Sequence, residues 1–126
     1  MEENKTVLIV DDDSRNIFAL KAVLKSKGFD VASASSAADG LQYLRTNKGT
    51  KIVLLDMMMP DMDGYQALHE IRSDKELSGS IVFAVTAQAM IGDREKCLEA
   101  GANEYVSKPI DVDLLLQLLN RYNEVR

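Results

Sequence analysis

Cysteine and histidine are nearly absent from this 126-residue chain, which carries one of each. A lone Cys97 rules out an internal disulfide, and without neighbouring Cys or His ligands it cannot anchor a zinc site. It reads as a small buried side chain in a helix. His69 has no acid or ligand at helical spacing and reads as a solvated surface residue. No stretch approaches the roughly 20 apolar residues of a membrane span. Met1 is followed by Glu2, Glu3, Asn4 and Lys5, neither a signal-peptide n-region nor an apolar core, so a cytoplasmic protein without membrane contact is expected. Positive charge is also short: 15 Lys and Arg stand against 20 Asp and Glu, a net charge of -5, which argues against direct nucleic-acid binding. Repeats and low-complexity segments are missing as well. The length suits one domain, residues 1–126, around one core.

What is present is organised around Ile52 to Gly64, IVLLDMMMPDMDG. Four apolar residues, the pattern of a strand buried on both faces, stop abruptly at Asp56. Pro60, Asp61, Asp63 and Gly64 then supply turn chemistry. An earlier run, Lys5 to Val10, is a second buried strand, and it ends in Asp11, Asp12 and Asp13. Ser14 is the expected cap of a first helix with Ile17, Leu20 and Leu24 inward and Gly28 as its stop. Asp30 to Ala34 is a weaker strand, followed by a helix capped at Ser36 that turns Ala38, Leu41 and Leu44 inward and ends near Asn47 and Gly49. Tyr65 to Ser73 reads as a third helix with Ala67, Leu68 and Ile71 on one face, and Asp74 to Ser80 as a polar loop. Ile81 to Val85 is a fourth buried strand ending at Thr86. Gly92 to Ala100 is a helix stopped by Gly101. Glu104 to Ser107 is a short fifth strand before Lys108 and Pro109. A last helix runs from Asp111 through Val112, Leu115, Leu116 and Leu119, with Leu114 and Leu118 widening its apolar face.

Strands alternating with helices, the strands lacking a polar face, imply a parallel sheet covered on both sides. The expected class is α/β, a flavodoxin-like doubly wound (βα)5 fold with five parallel strands in the order 2-1-3-4-5. Right-handed crossovers make every strand point the same way, so Asp11 to Asp13, Asp56, Thr86 and Lys108 collect along one sheet edge. Strands one and three flank the switch point where such sheets bind ligands. Carboxylates forced together repel unless something positive intervenes. Hard oxygen ligands without His or Cys point to Mg2+. Lys108 adds a point charge suited to a phosphoryl oxygen, and Thr86 adds a hydroxyl donor. That set is the inventory for making an aspartyl phosphate.

Over nearly its whole length the sequence resembles the receiver domains of two-component response regulators. The matching motifs are VDDD at Val10 to Asp13, LLDMMMPDMDG at Leu54 to Gly64, TA at Thr86 and Ala87, and GANEYVSKPID at Gly101 to Asp111. The resemblance implies that Asp56 is the phosphoacceptor and that Asp12 binds Mg2+ directly. Asp11 would assist through water or hydrogen bonds, and Asp13 would be an exposed acid at a helix start. The remaining metal ligand would be the backbone carbonyl of Met58. Met58 and Gln88 hold positions that, in similar proteins, influence water attack on the acyl phosphate, and a bulky Met58 is expected to slow it. Lys108 and Pro109 match a pair whose peptide bond is usually cis in this family. Thr86 and Tyr105 are the implied switch residues; the ordinary alternative for Tyr105 is a strand aromatic packed beside Ala87 and the fourth helix. The implied output face is the fourth helix, fifth strand and fifth helix, through which receivers dimerise or bind partners. A histidine kinase or histidine phosphotransfer protein is the implied phosphodonor, with the downstream effector unspecified. The domain would be a signalling switch that catalyses its own phosphorylation and dephosphorylation, not a turnover enzyme. The VDDDSRN start and the MIGDREKCLEAGANEYVSKPID run look most like hybrid-kinase receivers.

Three rivals share parts of this pattern. A haloacid-dehalogenase-like phosphatase would use Asp11 as nucleophile, but it wants Thr or Val where Arg15 stands, and usually a longer chain with a cap. A nucleotide- or flavin-binding domain shares the fold, yet the first turn, DDDSRN, has no glycine and would repel pyrophosphate. A pure binding module would have no use for the complete set of acids, Thr86 and Lys108.

Overall fold

The computed structural model describes residues 6–47, 52–60, 62–87 and 90–124. The roles read for Lys5, Gly49, Asp61 and Gln88 lie outside the described residues. Strands and helices alternate throughout: β1 (Thr6–Val10), α1 (Ser14–Ser26), β2 (Asp30–Ala34), α2 (Ala37–Thr46), β3 (Ile52–Asp56), α3 (Gly64–Ser73), β4 (Ile81–Thr86), α4 (Asp93–Glu99), β5 (Glu104–Ser107) and α5 (Val112–Glu124). The sheet is wholly parallel, in the order β2-β1-β3-β4-β5. This is the doubly wound arrangement expected from the sequence.

The continuous apolar runs hide a period of two. Leu8, Val10, Val53, Leu55, Val82 and Ala84 face one side, where Leu41 and Leu44 of α2, Leu68 and Ile71 of α3 and Cys97 of α4 cover them. Val7, Ile9, Ile52, Leu54, Phe83 and Val85 face the other, against Leu20 and Leu24 of α1 and Leu115, Leu118 and Leu119 of α5. Both faces of the central strands are thereby removed from water, and β3 is buried at every residue. Edge strand β2 is only half-buried, as its weaker pattern implied. Cys97 is buried and His69 exposed, as expected. Among the described residues no helix is long and apolar enough to cross a membrane.

Four details differ from the sequence reading. The cap of α1 is Asp13, not Ser14: the Asp13 carboxylate accepts the N–H groups of Arg15 and Asn16, so Ser14 becomes the first helical residue. In α2 Ala38 is exposed, while Ala37 and Gly40 turn inward. The helix rests so close to β1 that a Cβ on Gly40 would come within 2.8 Å of a Val10 methyl, and this contact fixes its rotation. Leu114 is 48% exposed and does not widen the buried face of α5, which is completed by Leu115, Leu118 and Leu119. The segment between α3 and β4 is not uniformly polar, because Leu77 inserts into the core.

Candidate functional site

The acid residues sit where the strands end. Asp11 follows β1, and its N–H donates to the Ala34 carbonyl at 3.1 Å, which carries the pairing with β2 one step past the strand. Asp56 closes β3, and the next amide, Met57 N–H, donates to the Val85 carbonyl at 2.9 Å. Both carboxylates are therefore held by the sheet itself, with Asp11 2% and Asp56 4% exposed, while Asp12 stands at the solvent rim. One oxygen from each of Asp11, Asp12 and Asp56 can be chosen so that all lie within 4.8 Å of one another. Lys108, just past β5, places Nζ 3.3 Å from Asp11 Oδ2 and 3.5 Å from Asp56 Oδ2. Its peptide bond to Pro109 is cis.

Burial is the main force on Asp56 and pushes its carboxyl above the usual range. The Met58 N–H, donating to Asp56 Oδ1 at 2.9 Å, and the Lys108 cation pull it back, and the neighbouring Asp11 carboxylate raises it again. For Lys108, burial alone would favour the neutral amine. Asp56 and Asp11 together outweigh that, and the ammonium ends with a raised pKa. Burial thus prevails at Asp56, and the two carboxylates prevail over burial at Lys108.

The loop beyond Asp56 is held close to the strand end. Asp63 caps α3 by accepting the Gln66 N–H at 2.9 Å, and Gly64 N–H donates to the Met57 carbonyl at 3.3 Å. A Cβ at Gly64 would collide with Met57 Sδ and fall 2.6 Å from Met57 Cα, so only glycine fits this approach. The Met58 side chain points outward, 51% exposed.

Thr86 ends β4, buried, and is paired in register with Ser107; the Lys108 N–H donates to the Thr86 carbonyl at 2.8 Å. Tyr105, on β5, packs against the core on the α4 side and donates its hydroxyl to Asp93 Oδ2 at 2.8 Å. Tyr65 of α3 reaches the other oxygen of Asp93 and the Cys97 sulfur, both at 3.5 Å, beneath the Lys96 ammonium 4.9 Å from its ring centre. Burial and Asp93 push Tyr105 up to about 12, and burial followed by the Cys97 contact raises Tyr65, with a smaller part from Asp93. Tyr105 thus meets the fourth helix through Asp93, the helix named in the ordinary alternative for this residue.

Sequence reading overlooked three residues in this region. Asn16 donates from Nδ2 to Asp11 Oδ2 at 2.6 Å. Its position, three residues after the Asp13 cap, was the available signal. Asp93 and Tyr65 meet across 28 residues of chain, and no local pattern announces that.

A family model described as the response regulator receiver domain matches residues 7–120. The hybrid signal transduction histidine kinase I of Dictyostelium discoideum is 36% identical over 120 residues, covering 90% of this chain but only 7% of that protein. Protein PilH of Pseudomonas aeruginosa is 34% identical over 114 residues, covering 90% of this chain and 93% of PilH. In structure, a response regulator receiver protein from Pseudomonas putida superimposes with a TM-score of 0.89 at 26% identity, covering 96% of this chain and 99% of that one. Strand order, strand-end acids and family match agree, and the chain belongs to the response regulator receiver domains, the receiving modules of two-component phosphorelays.

Proposed function

We propose that Asp56 is the phosphoacceptor and that residues 1–126 work as one receiver unit. The observation that carries this reading is the Lys108 ammonium shared between Asp11 and Asp56 beside Asp12, at the ends of neighbouring parallel strands. An Asp56 Oδ attacks the phosphorus of a phosphohistidine. The O–P bond forms, the N–P bond breaks, and the imidazole leaves with the bonding pair and takes up a proton from solvent. Because Asp56 is buried, little water must be stripped from the carboxylate before attack. Lys108 is placed to release its hold on Asp56 and take a phosphoryl oxygen, and the Thr86 hydroxyl to donate to another.

The donor set fits Mg2+: three carboxylates gathered within 4.8 Å, free of soft ligands, with a single ammonium against them. Asp11, Asp12, Asp56 and the Met58 carbonyl would hold the ion. Bound there, it would screen the negative charge of the phosphoryl oxygens. The same residues, acting on water, would return the domain to its starting state, so it is a switch with self-catalysed phosphorylation and dephosphorylation. Its donor is a histidine kinase or a phosphotransfer protein, a choice supported by the hybrid kinase among its relatives. The output face is α4, β5 and α5, where a second copy or an effector docks; Met90 and Ile91, exposed ahead of α4, supply apolar contact there. We place the domain in the cytoplasm with those partners.

Intact mass after incubation with acetyl phosphate, with and without Mg2+, tests the central claim. The expected result is a Mg2+-dependent gain of one phosphoryl group that Asp56→Asn abolishes. A gain that survives in Asp56→Asn, or none in the folded wild type, overturns the assignment.

A further inference from the structure

Helices that begin with a capping box satisfy two orphan donors reciprocally: the cap side chain accepts an N–H of the first turn, and a Glu or Gln at the third helical residue accepts the cap's own N–H. At α1, Asp13 performs the first task, with Arg15 N–H at 3.0 Å and Asn16 N–H at 3.4 Å. The second task falls to Asp11, whose Oδ1 accepts the Asp13 N–H at 2.9 Å. Asn16, at the third helical position, is thereby relieved of accepting and donates instead. Its Nδ2 lies 2.6 Å from Asp11 Oδ2, the same oxygen that takes Lys108 Nζ at 3.3 Å. Only the NH2 end of the amide can face a carboxylate, so the orientation of Asn16 is settled by chemistry.

We infer that Asn16 is a positioning residue of the acid site: it locks the Asp11 carboxylate onto the first turn of α1, presenting it to a metal ion alongside Asp12 and Asp56. The inference rests on the reading of those three acids as a Mg2+ site. With both Asp11 oxygens engaged by α1, the carboxylate cannot rotate to draw Lys108 wholly to itself, and the ammonium stays shared with Asp56. An apolar side chain of similar size at position 16 would leave Asp11 Oδ2 to Lys108, and a glutamate there would add a fourth acid to the cluster. Partners of this kind, which orient a ligand without touching the metal, typically change metal affinity by about 10- to 100-fold.

Titration of the unphosphorylated protein with MgCl2 alone, followed by amide NMR shifts, tests this without any turnover. Asn16→Leu keeps the volume and the helix but removes the donor, and should bind Mg2+ about 10- to 100-fold more weakly. Asn16→Gln, which retains the NH2 group, should recover most of the loss. Ala22→Gly, at an exposed position further along α1, loosens the helix without touching the site and should stay within about 2-fold of wild type. Wild-type affinity in Asn16→Leu refutes the positioning role, as does an equal loss in Ala22→Gly, which would mark a merely structural effect. A wild type that binds no Mg2+ would instead refute the metal-site reading, and the role of Asn16 with it.

Discussion

Replacing Asp56 by Asn should make the metal-free protein more stable at neutral pH, even though it removes an ion-pair partner. Asp56 is 4% exposed, and burial is the largest influence on its carboxyl, which is raised despite Lys108 at 3.5 Å and the Met58 N–H at 2.9 Å. An amide oxygen can still accept the Met58 N–H, and Lys108 keeps Asp11 as its partner. The exchange therefore removes a poorly solvated charge and its repulsion from Asp11 while giving up one shared ion pair. Neutralising buried charges of this kind is worth on the order of 1–2 kcal/mol. For a chain of this length that is a rise in Tm of about 3–10 °C. The sign follows from linkage. A carboxyl whose folded pKa lies above its unfolded value of about 3.9 favours folding while protonated and loses that advantage as pH rises through the folded pKa. The gap between variant and wild type should thus be larger near about pH 8 than near about pH 4, because the raised carboxyl of wild-type Asp56 holds its proton over more of that range than it would unfolded. Thermal unfolding followed by circular dichroism in EDTA at the two pH values measures it. A variant less stable than wild type at the higher pH, or a gap independent of pH, would show that attraction to Lys108 outweighs burial and would refute the reasoning. Saturating Mg2+ should then stabilise the wild type more than the variant, since only the wild type offers all three carboxylates.

Three further outcomes follow from other contacts. Arg72 sends five hydrogen bonds to neutral acceptors, the carbonyls of Ser78, Ser80 and Gly101 and the Asn103 side chain, joining the loops before β4 and β5; Arg72→Ala should cost about 2–4 kcal/mol in urea unfolding, and Arg72→Lys should recover little, because an ammonium lacks the planar fork. Asp93→Ala removes the anion shared by Tyr65 and Tyr105, so the ultraviolet titration of Tyr105, pushed up to about 12 in the native protein, should move toward about 10; an unshifted curve would mean that burial alone sets it. Met58→Asn exchanges a half-exposed thioether beside Asp56 for a small amide that can orient water, and should speed loss of the phosphoryl group in a decay assay; an unchanged lifetime would dismiss the idea that Met58 hinders that water.

The core and the gathering of the strand-end acids with Lys108 were legible because physics writes them locally. An apolar run ending in acid is a strand end, and parallel crossovers then bring distant strand ends together. The errors fall where two local choices are nearly equal. Asp13 and Ser14 are both good caps, and what separates them is Asp11, which takes the Asp13 N–H. Ala37 and Ala38 both suit either face of a helix, and the contact of Gly40 with Val10 decides between them. Asp93 and Arg72 were not legible as partners because a polar residue on a helix looks solvated until tertiary structure supplies its acceptor or donor, whereas Asn16, five residues from Asp11, could have been found from its place in the first turn. Tyr65 and Asp93, or Arg72 and Gly101, leave no periodic trace.

The same tertiary contacts bear on how the site could speak to the proposed output face. Lys108 N–H is bonded to the Thr86 carbonyl, and Thr86 is in register with Ser107, so the ends of β4 and β5 are tied together at the edge of the acid cluster. Two residues back along β5, on the same face as Ser107, Tyr105 is tied through its hydroxyl to Asp93 at the start of α4. Asp93 also receives Tyr65 from α3, so one carboxylate joins three elements. If Tyr105 turns on phosphorylation, it must first leave Asp93. A hydrogen bond to a charged group contributes about 1.5–3 kcal/mol, which holds the resting arrangement at roughly 10- to 150-fold over its alternative. That bias is large enough to hold Tyr105 mostly in its resting arrangement. It is also small enough for a phosphoryl group carrying nearly two negative charges, drawing Lys108 and Thr86 toward itself, to overcome. Asp93 would then set the threshold of the switch from outside the acid site, and the titration of Tyr105 in Asp93→Ala reads that restraint directly.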